Sequence, residues 1–125
     1  MSLELIMNTN GAIGHGSGST ISNGEFVITS TPDAKVRAEG EGIFVTPLGY
    51  TFSGGSSPGF VDGTIAGGGV INATAKKVKA GSALVIRLGD SGTMSASGTL
   101  SGGGTGSVSG PVEVIDSGQT KVKAA

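Results

Sequence analysis

Apolar residues along this chain come in short runs that alternate with polar ones and never settle into a helical period. Val27-Ile28-Thr29 leads into Ala34-Lys35-Val36-Arg37-Ala38, and Val70-Ile71-Asn72 leads into Lys76-Lys77-Val78-Lys79-Ala80. Val114-Ile115-Asp116 then leads into Thr120-Lys121-Val122-Lys123-Ala124. The central valines, Val36, Val78 and Val122, stand 42 and 44 residues apart. A spacing of this size marks a supersecondary unit written more than once. Val, Ile and Thr clusters bounded by Gly, Asn, Asp and Ser predict strands joined by tight turns.

The expected elements follow from those runs. Strands are predicted over 3–7, 25–29, 34–38, 43–45, 60–65, 70–72, 76–80 and 83–88. Asn8-Thr9-Asn10-Gly11 and Glu39-Gly40-Glu41-Gly42 read as turns. Gly89-Asp90 reads as another, in which the Asp90 carboxylate takes nearby backbone N–H groups. The segments Gly14–Gly18, carrying His15, and Gly98–Gly110 read as loops. Three repeat cores, near 25–53, 70–98 and 112–125, sit in a single all-β domain with pseudo-three-fold symmetry.

The third unit breaks off where the second would begin its Ala83–Leu88 strand. Residues 2–18, laid on 82–98, supply the missing half: Leu5-Ile6 falls on Val85-Ile86 and Asn10 on Asp90. The strand Leu3–Met7 is therefore expected to pair near Lys121–Ala124, closing a trefoil-like ring. If so, the three valines meet near its axis and the basic residues on either side face outward.

Composition agrees with an all-β chain. Glycine takes 25 of 125 positions, which penalises helix and favours turns of positive φ. Cysteine is absent, so neither a disulfide framework nor a thiolate metal site is available. The net charge of −1 predicts no strong attraction to nucleic acid. No run is apolar enough to insert in a membrane. The N-terminus lacks a signal-peptide pattern, so the chain is expected to be made in the cytoplasm and to leave it only as part of a larger apparatus.

Seven of the eight basic residues fall in the three lysine-bearing stretches: Lys35, Arg37, Lys76, Lys77, Lys79, Lys121 and Lys123. Solvated lysines on strands also discourage aggregation, and the same residues could form a collar for an acidic partner. His15 is the single histidine, a poor start for a metal centre that needs three or four ligands. No nucleophile elbow is followed by a helix, and Gly14-His15-Gly16-Ser17-Gly18 precedes no helix that could hold a phosphate. No catalytic residue, cofactor or metal is expected, and the chain does not read as an enzyme.

Residues 75–90, Ala75-Lys76-Lys77-Val78-Lys79-Ala80-Gly81-Ser82-Ala83-Leu84-Val85-Ile86-Arg87-Leu88-Gly89-Asp90, resemble the PAAR and PAAR-like proteins. These cap the spikes of type VI secretion systems and contractile phage tails. The resemblance implies a Gly-rich cone of β-hairpins seated on a trimeric spike protein. Lys35, Val36, Arg37, Lys77, Val78, Lys79, Lys121, Val122 and Lys123 would then be the docking residues, with Gly89 and Asp90 at a turn. Family members usually hold a tip metal through several His and a Cys; His15 alone does not carry that over. The alternative is a free-standing secreted or surface β-domain with a binding or structural role.

Overall fold

The computed structural model describes residues 3–124. Among them there is no helix; the chain is all-β. Its strands are β1 (Glu4–Leu5), β2 (Ala12–His15), β3 (Ser22–Ile28), β4 (Asp33–Ala38), β5 (Glu41–Ile43) and β6 (Leu48–Ser56). They continue as β7 (Ile65–Ile71), β8 (Lys79–Ala80), β9 (Ala83–Leu84), β10 (Ser91–Thr99), β11 (Thr105–Asp116) and β12 (Lys123–Ala124). Six of them form one antiparallel sheet, in the order β2-β11-β10-β7-β6-β3, which curls until it nearly closes.

Period-two patterning explains why these segments become barrel staves. In β6, Leu48, Tyr50 and Phe52 turn inward while Thr51 and Ser53 face solvent; in β10, Met94 and Ala96 alternate with Ser95 and Ser97. Such alternation fits a sheet with one wet face. Glycine lets neighbouring staves approach closely. A Cβ on Gly67 of β7 would run into Ser95 O and Ala96 Cα of β10. The seam between β2 and β3 has no strand ladder, and His15 bridges it. Its Nε2 lies 2.8 Å from Asn23 O, and its ring sits edge-on to Phe26 and Phe52 at 5.1 and 5.2 Å.

One end of the barrel is floored by three short segments bonded to one another. Met7 N–H donates to Ile86 O (2.9 Å), Ile86 N–H to Phe44 O (3.0 Å) and Phe44 N–H to Met7 O (3.1 Å). The three bonds close in a ring. Outside it, Thr9 N–H donates to Gly42 O, Thr46 N–H to Leu84 O and Leu88 N–H to Leu5 O. Strand alternation sends Met7, Phe44 and Ile86 into the barrel core with Leu48, Tyr50, Ile65, Ile71, Met94 and Val112. The residues just before them, Ile6, Ile43 and Val85, turn the other way into a second core.

That second core is roofed by three small two-stranded sheets, β4–β5, β8–β9 and β1–β12. The expected joining of the termini is found: Glu4 pairs with Ala124, Leu5 with Lys123, and Ile6 N–H bonds Val122 O. Several details differ from expectation. Met7 is the residue that bonds Ile86, while Ile6 bridges Arg87. Val36 and Val122 do not enter the core, being 40% and 37% exposed; Ala38, Ala80 and Ala124 fill it instead. These alanines pack there with Ile6, Ile43 and Val85.

The expected Gly98–Gly110 loop is mostly the long β10–β11 hairpin, paired from Ser91↔Glu113 to Thr99↔Thr105 around a short glycine turn. His15 ends a strand and is not in a loop. Phe60 forms an isolated bridge to Leu100, bonds Ser57 O and packs on the barrel core, and the strand expected over 60–65 begins at Ile65. The stretch 76–80 is extended only at Lys79–Ala80.

Burial sets the expected cost of three substitutions. Ile86→Ala, at a fully buried floor position, should lose about 2–5 kcal/mol of unfolding free energy in denaturant titration. Val70→Ala, at a 45% exposed site, should lose under about 1 kcal/mol. Burial pushes the Tyr50 hydroxyl above its ordinary 10.0, and that oxygen has no hydrogen-bond partner among the described residues. Its contribution is therefore complete below about pH 10 and is lost as pH rises above, where the unfolded chain ionises first. Tyr50→Phe should flatten that alkaline loss in melts taken across pH 9–11.

Candidate docking face

The cap is the part of the molecule where the sequence concentrates its positive charge. Lys35 and Arg37 lie on β4, Lys79 on β8 and Lys123 on β12, with Lys76, Lys77 and Lys121 in the segments leading into β8 and β12. All seven are exposed. Val36 and Val122 are exposed among them, and Val78 packs partly on the second core. The structure therefore brings the nine candidate docking residues, on β4, β8, β12 and the segments leading into the latter two, to one end. They form a rim around the buried alanines and no enclosed pocket.

Local chemistry sets up two of these strands in the same way. Asp33 Oδ1 accepts the N–H groups of Lys35 (2.8 Å) and Val36 (3.1 Å). Gln119 Oε1 accepts those of Lys121 and Val122, both at 2.8 Å. Each is a side chain that turns the backbone just before a strand begins. At the matching place before Val78 stands Ala75, which is buried and offers no acceptor.

Gln119 does more. Its Nε2 donates to Ile6 O (2.7 Å) and Val122 O (2.8 Å), so one buried amide ties β1 to the lead-in of β12. Asn8, fully buried, donates from Nδ2 to Ala38 O at 3.0 Å, and Arg87 Nη1 donates to Ala124 O at 3.1 Å. Sequence reasoning missed Asn8 and Gln119. The spacing of Asp33 and Gln119, each two residues before a lysine, was the signal available for the latter.

Gly89, at φ +91, and Asp90 form the expected turn. The buried Asp90 carboxylate accepts Arg87 N–H at 2.8 Å and the Thr74 hydroxyl, while Arg87 Nη2 donates to Thr74 Oγ1 at 2.7 Å. This network pins the cap to the floor. At the cap surface Lys121 Nζ lies 3.9 Å from Glu39, an exposed pair contributing at most about 1 kcal/mol.

Among the described residues no group of three or more His, Asp or Glu is placed to hold a metal ion. The Nε2 of His15 lies against Asn23 O, and its Nδ1 is buried without a partner among the described residues. An open cleft of about 510 Å³ beside β12 is lined in part by Leu5, Leu88, Ile115, Asp116 and Gln119. The Gln119 amide is already spent on the backbone. Comparison with known proteins finds no family model that matches the chain, and no curated protein or solved structure that matches it.

Replacing Gln119 tests the cap's internal tie. Gln119→Glu keeps the shape but substitutes a charged acceptor for the amide that donates to Ile6 O and Val122 O. It should lose about 2–4 kcal/mol at neutral pH and recover part of that loss near pH 4, where a carboxyl regains a donor. A variant as stable as the parent at both pH values, measured by denaturant unfolding, would show that the tie carries no weight.

Proposed function

We propose that the chain is one β unit written three times about a pseudo-three-fold axis. On this reading it acts as a PAAR-like structural tip that caps a trimeric β-helical spike of a type VI secretion or phage-like contractile apparatus. The observation that carries the reading is the ring at Met7, Phe44 and Ile86. Residues two after each ring member donate to residues two before the next: Thr9 to Gly42, Thr46 to Leu84, Leu88 to Leu5. The bridges Asn8↔Ile43, Val45↔Val85 and Ile6↔Arg87 follow the same rule. The same index rule, applied to each ring member in turn, gives the whole set, which is the pattern a three-fold repeat would leave.

A trimeric spike ends in three equivalent strand edges, whose unpaired backbone groups attract further strands. A single chain offering three like strands around one axis can meet all three at once by β-augmentation. In this protein those strands are β4, β8 and β12, with Lys35, Val36, Arg37, Lys77, Val78, Lys79, Lys121, Val122 and Lys123 as the contacting residues. The packed floor between two cores would keep such a tip stiff under load without a metal.

Co-expression with the trimeric spike protein of the same apparatus, followed by light scattering on the purified complex, tests the reading. One tip chain per spike trimer is expected. If the chain elutes free of every such spike, the free-standing β-domain becomes the better account.

A further inference from the structure

The charges of this molecule are sorted by end. The cap carries seven cations, Lys35, Arg37, Lys76, Lys77, Lys79, Lys121 and Lys123, against the four carboxylates Glu4, Asp33, Glu39 and Glu41. The barrel wall and its loops carry Glu25, Asp62, Glu113 and Asp116 and no lysine or arginine. Arg87 and Asp90, joined in the buried network with Thr74, lie between the two. A net charge of −1 thus conceals a positive end and a negative body.

We propose that the cap is an electrostatic docking face for an acidic protein surface, one whose carboxylates lie beside exposed strand backbone. This rests on the reading that the cap is the end that meets a partner, and it adds what that partner must present. The opposed charges orient the molecule on approach, so that the cap leads toward an acidic partner and the barrel wall is turned away.

Three features select an acidic protein over nucleic acid. Asp33, Glu39 and Glu41 stand among the lysines and would face a continuous phosphate backbone with like charge. No aromatic residue lies on β4, β8 or β12 to stack on a base. The cations come in short groups, each beside a valine on or entering a two-stranded sheet. Such a sheet can accept a further peptide strand, which a nucleic acid cannot supply. Six of the seven cations are lysines, point charges that suit dispersed carboxylates better than bidentate phosphate recognition.

The test needs no knowledge of the natural partner. Binding of the full chain to poly-L-glutamate, to duplex DNA and to phosphatidylglycerol vesicles is measured at 50 and 300 mM salt. Poly-L-glutamate is expected to bind most tightly of the three at 50 mM, and to weaken by on the order of tenfold at 300 mM. The triple variant Lys35→Gln, Lys79→Gln, Lys123→Gln should lose most of that binding. A control with the same net charge, Ser95→Glu, Ser97→Glu, Ser107→Glu on the exposed barrel wall, should keep most of it. Tighter binding to DNA or vesicles, or equal loss in both variants, overturns the proposal. Circular dichroism on each variant excludes misfolding as the cause. A spike complex that forms but ignores the cap triple would sink this inference and leave the spike-tip reading standing.

Discussion

Everything in this fold passes through three backbone hydrogen bonds. Met7, Phe44 and Ile86 each give an N–H to the carbonyl of another, so no member of the ring is satisfied unless all three segments are in place. Buried backbone groups left unpaired cost free energy comparable to a lost hydrogen bond or more. The ring lies between two apolar cores. Because side chains alternate along a strand, each segment fills the barrel with one residue and the cap with the one before it. Neither core can form without the segments that serve the other.

The cap has little apolar material of its own, relying on Ala38, Ala75, Ala80 and Ala124 around Ile6, Ile43 and Val85. Four alanine methyls add too little buried surface to order three hairpins by the hydrophobic effect alone. Buried polar side chains make up the difference by gripping backbone carbonyls. Asn8 takes that of Ala38, Arg87 that of Ala124, and Gln119 those of Ile6 and Val122. The result leaves its outer strands accessible, with their lysines in solvent, while their roots are fixed to the floor. On the proposed function, that combination is what a docking element requires.

Much of this was legible in the residues, and the misses have physical causes. Glycine content and period-two runs were enough for the all-β class, and the truncated pattern at the C-terminus was enough to pair β1 with β12. Valine was expected at the centre because it is apolar, yet Val36 and Val122 stay largely exposed and the neighbouring alanines turn inward. Strand β10 was hidden because its inward residues are Met94, Ala96 and Gly98, too small or too flexible to register as a β run. His15 looked like a loop residue from its glycine neighbours, when those glycines are what let β2 pack against Ile115 and Pro111. Gln119 and Asn8 gave no hydropathy signal at all; their importance lies in carbonyls far away in sequence.

The account stands or falls on the ring acting as one cooperative unit. Amide hydrogen exchange, read residue by residue under native conditions, measures this directly. The N–H groups of Met7, Phe44 and Ile86 should share one opening free energy, equal to that of global unfolding and to one another within error. If one of the three exchanged through a separate, lower-energy opening while the other two stayed protected, the floor would not bind the barrel and cap together, and the account would be contradicted.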